Sequence, residues 1–184
     1  MSNRVECIVH RGANEESRHE INCVVIDEKN NIIFECGNIR KPYCLRSTLK
    51  PFQCAASIEH GTTTEYNFTQ KEIAITCASH HGEKQHATTV SSILEKIKLN
   101  DSDLECGFHF PLDKKSKSDL HSDRVRKTNI YNNCSGKHAG LLAFIKKMNY
   151  STKNYIKHTH PIHKHIEDYI VGVARMPAVD FAVD

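Results

Sequence analysis

Short apolar runs separated by polar links fill the first forty residues. The runs cover residues 6–10, 19–26 and 32–36, and the middle run begins with alternating polar and apolar positions. The intervening residues 27–31 are Asp, Glu, Lys and two Asn, a composition that favours a turn. The pattern predicts three strands in sequence, and short polar links between strands favour an antiparallel meander.

After residue 45, apolar residues recur mainly at helical spacing. This periodicity predicts five helices, at residues 48–60, 69–77, 84–98, 134–148 and from about 159 onward. Pro51 falls in the first turn of the first helix, where a missing N–H costs little. Thr69 and Glu72 have the spacing of a capping box at the start of the second helix.

Two segments show neither clear period. Residues 106–128 are polar and charged, which predicts a loop with the lysine-rich run at 114–117 as its solvated tip. Residues 177–184 are apolar and strand-like, so we expect the chain to end within an unfinished element. Strands followed by helices predict an α/β protein of the α+β type, an antiparallel sheet with packed helices, in a single domain over residues 1–184.

Composition narrows the classes of protein. The 184 residues are 39% hydrophobic and 26% charged, which is enough apolar surface to offset the entropy of ordering and excludes a disordered chain. The formal net charge is +3 without a Lys/Arg block, which argues against nucleic acid as a partner. No apolar run approaches the ~18 residues that a bilayer requires, so we expect no membrane span.

The 8 cysteines are even in number, which would suit a disulfide framework in a secreted protein. The N-terminus, however, has no signal-like apolar stretch, and the sequence contains no C-x-x-C pair. We therefore predict reduced thiols and a cytoplasmic location.

Ser47 and Lys50 form an S-x-x-K sequence at the start of the first predicted helix. One helical turn separates them, so the lysine amine can reach the hydroxyl, and an uncharged amine can then activate it as a nucleophile. The alternative is a Ser that caps the helix and a Lys on the surface.

Ser79 to Gly82, with two intervening His, follow the capped helix. They fit a hydrolytic site, or a C-terminal stop with charged His near the helix dipole and Gly in the left-handed region.

Polar, small and nucleophilic residues crowd into residues 132–140, at the start of the fourth predicted helix. Cys134 and Lys137 are three residues apart, so both side chains can point at one centre, and the exposed N–H groups of the first turn attract an anion. Gly136 and Gly140 are four residues apart and allow another backbone to approach closely. A tightly packed, capped helix is the structural alternative.

Six residues in the stretch 158–165 are His, Lys or Pro, as in a metal-binding tract, but His163 and His165 fall on different helix faces. We interpret this stretch as a solvated helix start.

Three segments taken together, residues 46–53, 79–83 and 132–140, resemble the Rhizobium etli-type L-asparaginases, the asparaginase II family, in order and spacing. The resemblance extends across nearly the whole chain, and the Asn-Asn-Cys-Ser-Gly-Lys-His stretch is its most specific part. It implies a fold like that of the serine β-lactamases and penicillin-binding proteins, here incomplete, and hydrolysis of the side-chain amide of L-asparagine to L-aspartate and ammonia.

The same resemblance implies roles for particular residues. Ser47 matches the nucleophile, Lys50 its activating base, and Ser79 the serine of a second Ser-Lys pair. Arg46 and His138 match residues that line the substrate pocket. The zinc ligands of the family match Cys134 and Lys137, together with a later Cys.

We expect the chain to be the N-terminal part of such a domain, because the family's later Asp-Gly-Cys-Gly segment would begin about where Asp184 stands. That expectation leaves two alternatives open: a β-lactam-interacting serine hydrolase, suggested by the S-x-x-K alone, and a non-catalytic metal- or partner-binding domain, suggested by the 13 His and 8 Cys. A small-molecule substrate is the expected partner, and a homodimer is left open.

Overall fold

The structure is a computed structural model that describes residues 5–122 and 125–174. The chain divides into two compact units, one up to Cys44 and one from Leu45 onward, which are described separately. The predicted single domain over residues 1–184 stays a prediction. The expected strand-like run at 177–184 lies outside the described residues.

The first unit consists of two antiparallel hairpins. Strand β1 (Val5–Arg11) pairs with β2 (Asn14–Ile21), and β3 (Cys23–Ile26) pairs with β4 (Ile32–Cys36). The predicted three-stranded meander is therefore wrong, because the run at 19–26 divides at Asn22. The side-chain oxygen of Asn22 accepts the backbone N–H of Asn38, which is 16 residues away in the chain, at the point where the strand breaks.

The predicted turn at residues 27–31 is confirmed. The carboxylate of Asp27 accepts the N–H groups of Lys29 and Asn31 at 2.8 Å each. Asn30 between them adopts the left-handed region, with φ at 63°, which Asn tolerates well. These bonds satisfy the turn's own backbone and connect β3 to β4.

The second unit is helical. Its described elements are α1 (Lys50–Glu59), α2 (Thr62–Glu65), α3 (Gln70–Thr76), α4 (Lys84–Lys96), α5 (Lys114–His121), α6 (Ser135–Lys147) and α7 (Ile162–Ala174). Helix α6 is the central element, because its residues 138–145 are all buried and it packs against α1, α3 and α4. Ile93 of α4 and Leu142 of α6 are fully buried in this core.

The helix signals in the sequence are confirmed. Thr69 Oγ1 accepts the N–H of Glu72, and the Glu72 carboxylate accepts the N–H of Thr69 at 2.6 Å, which completes the capping box of α3. Pro51 lies in the first turn of α1, and the helix predicted from about residue 159 is α7.

The predicted loop at 106–128 is wrong over residues 114–121, which form α5. Asp113 caps this helix by accepting the N–H of Ser116 at 2.7 Å. An ion pair of 2.9 Å joins Lys115 to Asp119 one turn later, and Leu120 is fully buried. A single buried apolar residue gives no visible period, so the sequence pattern hid the helix.

The described elements confirm an α+β protein with small antiparallel sheets. The expected likeness to the serine β-lactamase fold stays a prediction. None of the helices in the described ranges has the length and apolar character needed to cross a membrane. All eight cysteines lie in the described part of the chain, and none is paired with another there; the reduced state of the thiols stays a prediction.

Candidate active site

Three segments of the second unit meet at Lys50, the first residue of α1. Its side chain is buried, with 4% of the residue exposed. Nζ lies 2.6 Å from Oγ of Ser79, in the loop after α3, and 3.2 Å from Sγ of Cys134, at the N-cap of α6. The sequence singled out all three residues but did not predict that they meet at one amine.

Ser47 lies in a 3-10 turn, Arg46–Leu49, that leads into α1. Its side chain is exposed and, among the described residues, makes no hydrogen bond to Lys50. Ser47 does not cap α1, since Leu49 holds the N-cap position. The alternative of a surface lysine at position 50 is wrong, because that lysine is buried.

Arg46 adopts an uncommon backbone conformation just before Ser47. Its φ of 47° lies in the left-handed region, which costs a non-glycine residue roughly 1–2 kcal/mol. Such local strain is concentrated at functional sites in proteins. The arrangement turns the chain sharply where it enters the 3-10 turn.

A close approach of α6 to α3 places Cys134 near Ser79. A Cβ on Gly136 would lie 2.8 Å from Ile75 Cγ1, and a Cβ on Gly140 would lie 2.6 Å from Thr76 Cγ2. A side chain at either position would overlap α3. The predicted close approach of another backbone is confirmed at Gly136, which faces the backbone of Ile75, whereas Gly140 faces the side chain of Thr76. Ser79 follows α3 by three residues, so the same contact sets its distance from the start of α6.

His80 fastens the loop of Ser79 to the start of α6. Its N–H donates to the carbonyl of Asn133 at 3.0 Å, and its ring Nδ1 accepts the N–H of Gly82 at 3.1 Å. Nε2 therefore carries the ring proton and donates to Ser135 Oγ at 3.0 Å. Burial, with added repulsion from His86 and Lys50, lowers the pKa of His80 to about 4. The prediction of a charged helix-end His is wrong here, although Gly82 is left-handed as expected, with φ at 73°.

A buried amide fixes the backbone of Cys134. Asn132 Nδ2 donates to the carbonyls of Cys106 and Gly107 at 2.9 and 3.1 Å, and its Oδ1 accepts the N–H of Cys134 at 2.8 Å. Asn132 thus connects the loop after α4 to the N-cap of α6. These three hydrogen bonds give Asn132, two residues before Cys134, a structural role.

His138 lies one turn into α6 and is 8% exposed. Its Nδ1 lies 2.9 Å from the hydroxyl of Tyr155. Burial, with repulsion from Lys137 and Lys50, lowers the pKa of His138 to about 3, so the ring is neutral at physiological pH. Burial also raises the pKa of Tyr155 well above its usual range, so the phenol keeps its proton.

The predicted zinc ligands do not make a complete site with the other described residues. Cys134 contacts Lys50, and Lys137 lines a small cavity between α1, α3 and α6 with Gln53 and Cys54. Within residues 5–122 and 125–174, no three His, Cys, Asp or Glu side chains form a group able to hold a metal ion. A structural zinc site needs four protein ligands and a catalytic one usually three, so Cys134 and Lys137 by themselves supply fewer ligands than either kind of site.

The His-rich stretch 158–165 is not uniformly solvated as predicted. His160 is buried, and its Nε2 lies 2.8 Å from the carbonyl of Ser151. His163 Nε2 lies 2.8 Å from the carbonyl of Tyr155. Both rings bind backbone carbonyls of the segment between α6 and α7, so they have structural roles there.

Sequence reasoning missed two residues that shape this site. Tyr155 lies in a polar segment between helices, and Cys106 begins the stretch that the sequence predicts to be a loop, so neither residue lies in a periodic pattern. Burial raises the pKa of the Cys106 thiol to about 11, and Cys134 and Lys137 are near enough to shift it further in opposite directions. For Tyr155, the available sequence signal is an aromatic residue isolated in a polar segment, because burial of an aromatic side chain is strongly favourable.

The family model of L-asparaginase II matches residues 7–184. The chain belongs to the L-asparaginase II family, and membership supports an amidohydrolase that acts on a small-molecule substrate. The narrower likeness to the Rhizobium etli type stays a prediction. No protein among curated sequences matches the chain.

Proposed function

We propose that this protein hydrolyses the side-chain amide of L-asparagine to L-aspartate and ammonia, with Lys50 as the proton acceptor for a serine hydroxyl. The observation that carries the proposal is the 2.6 Å contact between Lys50 Nζ and Ser79 Oγ. Family membership supplies the substrate class, and the buried amine beside a hydroxyl supplies a chemistry that suits amide cleavage.

Two serines are candidates for the nucleophile. The resemblance favours Ser47, whereas the hydrogen bond to Lys50 favours Ser79. Ser79 is also exposed, so a substrate can reach a hydroxyl whose base is buried behind it. We therefore place Ser79 first and keep Ser47 as the alternative that the experiment separates.

The reaction needs Lys50 as an uncharged amine at the moment of attack. The amine takes the proton of the hydroxyl while Oγ bonds to the amide carbon, and the carbonyl oxygen becomes an oxyanion. When the carbon–nitrogen bond breaks, Lys50 returns that proton to the departing nitrogen, which leaves as ammonia. Water then attacks the ester, with Lys50 again accepting a proton, and releases L-aspartate and the serine hydroxyl.

Among the described residues, the two hydrogen-bond partners of the Lys50 amine are a hydroxyl and a thiol rather than a carboxylate. A carboxylate partner would hold the lysine as an ammonium ion, which cannot accept a proton. His80 and His138 add no positive charge near neutral pH, because burial lowers the pKa of each, to about 4 and about 3. The surroundings are thus compatible with a general base.

Arg46 and His138 are the proposed substrate-binding residues. A guanidinium can hold the α-carboxylate of asparagine through two parallel hydrogen bonds, which a lysine cannot reproduce. The neutral ring of His138 can donate one hydrogen bond to a substrate oxygen. Arg46→Lys should therefore raise KM more than it lowers kcat.

The test measures ammonia release from L-asparagine by the wild type and by two matched variants, Ser79→Ala and Ser47→Ala. Loss of a nucleophile–base pair should lower kcat by roughly 10²–10⁴-fold. We expect this loss in Ser79→Ala and a much smaller one in Ser47→Ala. The reverse order would assign the nucleophile to Ser47, and equal rates in all three proteins would refute Ser-Lys catalysis.

A further inference from the structure

Tyr155 and His138 form a pair inside the second unit. Tyr155 is fully buried, although it carries a polar hydroxyl and lies between α6 and α7. The hydroxyl oxygen lies 2.9 Å from His138 Nδ1 and accepts the N–H of Glu105 at 2.8 Å. The ring planes meet at 65°, with centroids 5.5 Å apart, so the contact is an edge-to-face hydrogen bond rather than a stack.

The direction of the hydrogen bonds follows from counting protons. The Tyr155 oxygen uses one acceptor position for the Glu105 N–H, which cannot be reversed because a backbone N–H only donates. The hydroxyl also has one proton to donate, and its other hydrogen-bond partner among the described residues is His138 Nδ1. Donation to Nδ1 is therefore the arrangement that leaves no hydroxyl proton buried without an acceptor. A neutral imidazole with an accepting Nδ1 carries its own proton on Nε2.

His138 lies on the same face of α6 as Cys134, a residue of the candidate active site. Its backbone N–H donates to the carbonyl of Cys134 at 3.1 Å, so the two residues are one helical turn apart on one face. Cys134 contacts Lys50, so the face of α6 that carries His138 also carries a residue that contacts the amine. The N–H donor on Nε2 therefore belongs to a residue on the face of α6 that carries Cys134.

We propose that Tyr155 is a positioning residue that fixes His138 in the Nε2–H tautomer, so that the ring presents an N–H donor to an oxygen atom of the substrate. This inference rests on the proposed function for the substrate, but the tautomer itself does not depend on it. Glu105 contributes through its backbone N–H, while its carboxylate separately accepts the N–H of Asn154 at 2.7 Å.

The direct test is the ¹⁵N NMR signature of the His138 ring in the full chain near pH 7.5. The wild type should show an unprotonated Nδ1 and a protonated Nε2, whereas Tyr155→Phe should show a mixture of both tautomers. Tyr150→Phe is the matched control, because the Tyr150 hydroxyl lies 3.0 Å from His165 Nε2, a Tyr–His pair outside the site. It should alter the His165 signals and leave His138 unchanged. A protonated Nδ1 in the wild type, or an unchanged His138 in Tyr155→Phe, overturns the proposal.

Kinetics supply a second readout, which separates a role of Tyr155 through His138 from a purely structural role. The effect of Tyr155→Phe on kcat/KM is compared in the wild type and in a His138→Gln background. Tyr155→Phe should lower kcat/KM for L-asparagine about 3- to 10-fold, the range for one weakened hydrogen bond. In a His138→Gln background the same change should have little further effect, because a glutamine has no tautomer to fix. Independent, multiplicative losses in the double variant would contradict the proposal. If the wild type does not hydrolyse asparagine, the proposed function fails, and the NMR result alone still decides whether Tyr155 sets the tautomer.

Discussion

Lys50 Nζ lies 2.6 Å from Ser79 Oγ, although the two residues are 29 positions apart in the chain. The contact depends on two features that flank it. The glycines of α6 let this helix press against α3, and His80 ties the loop after α3 to the start of α6. The hydroxyl is therefore held at the amine by the fold of the second unit and not by the local S-x-x-K spacing.

Lys50→Met should abolish ammonia release from L-asparagine without destabilising the protein. Methionine has a similar length, and it removes the cost of burying an amine whose partners are a hydroxyl and a thiol. We expect the free energy of unfolding to stay equal or rise by about 1 kcal/mol, as when a functional group is removed from an active site. Urea denaturation measures this change, with the exposed Lys84→Met as control. A drop of several kcal/mol would show that Lys50 is a structural residue.

Gly136→Ala and Gly140→Ala should each destabilise the protein by about 1–3 kcal/mol, because the added methyl group overlaps Ile75 or Thr76. Gly172→Ala in α7 is the matched control, since a Cβ there meets nothing within 4 Å. That substitution should stabilise by about 0.5–1 kcal/mol, because alanine favours a helix more than glycine does. Thermal unfolding of the three variants measures the contrast. If all three changed stability in the same direction, the close contact between α6 and α3 would be disproved.

His80 should make the protein less stable as the pH falls from about 6.5 to about 4. Its pKa is lowered from 6.5 to about 4 by burial first and by nearby positive charge second. Between these values the unfolded chain binds a proton that the folded chain does not, so stability is lost as the pH decreases through this window. The contribution is about 2 kcal/mol after allowance for solvent screening.

The variant His80→Gln should flatten that part of the stability–pH curve, because glutamine does not titrate. His81→Gln, which changes the exposed neighbour, should leave the slope as it is in the wild type. Urea denaturation at a series of pH values compares the three proteins. Identical slopes for the wild type and His80→Gln would mean that His80 is not held neutral by the fold.

Zinc binding through Cys134 and Lys137 stays a prediction of the family resemblance. Two protein ligands hold zinc weakly, so a chelator should easily remove a metal that is bound by Cys134 and Lys137 alone. Cys134→Ser should weaken zinc binding further, whereas Cys7→Ser, a change at an exposed cysteine of the first unit, should not. Competition with a zinc indicator measures both. Equal affinities in the two variants would exclude Cys134 as a ligand.

Local signals predicted the helices that surround the site. The capping box at Thr69, the proline in the first turn of α1 and the glycines of α6 each act over three or four residues, so the sequence shows them directly. The sequence did not predict helix α5, because Leu120 is its one buried residue and gives no helical period. The sequence did not predict the break at Asn22, because the hydrogen bond that accompanies it joins Asn22 to the backbone of Asn38, 16 residues away.

The site was predicted residue by residue but not as an arrangement. Lys50, Ser79 and Cys134 all stood in unusual motifs, yet their meeting depends on contacts that span 29 and 84 residues. The sequence predicts Ser47 as the partner of Lys50, because the spacing of residues along one helix can be read from a sequence, whereas contacts between distant segments cannot. The structure adds the approach of α3 to α6, which brings a second serine to the same amine.

The central claim is that Lys50 activates Ser79 as the nucleophile, and covalent trapping tests it most directly. The wild type is treated with an asparagine analogue that carries an electrophilic diazoketone in place of the side-chain amide, and the labelled residue is located by peptide mass spectrometry. We expect the label on Ser79 in the wild type and no label on Ser79 in Lys50→Met. Neither adding excess zinc to Lys50→Met nor combining it with Cys134→Ser should restore the labelling. A label on Ser47, or equal labelling of Ser79 in Lys50→Met, would contradict the account.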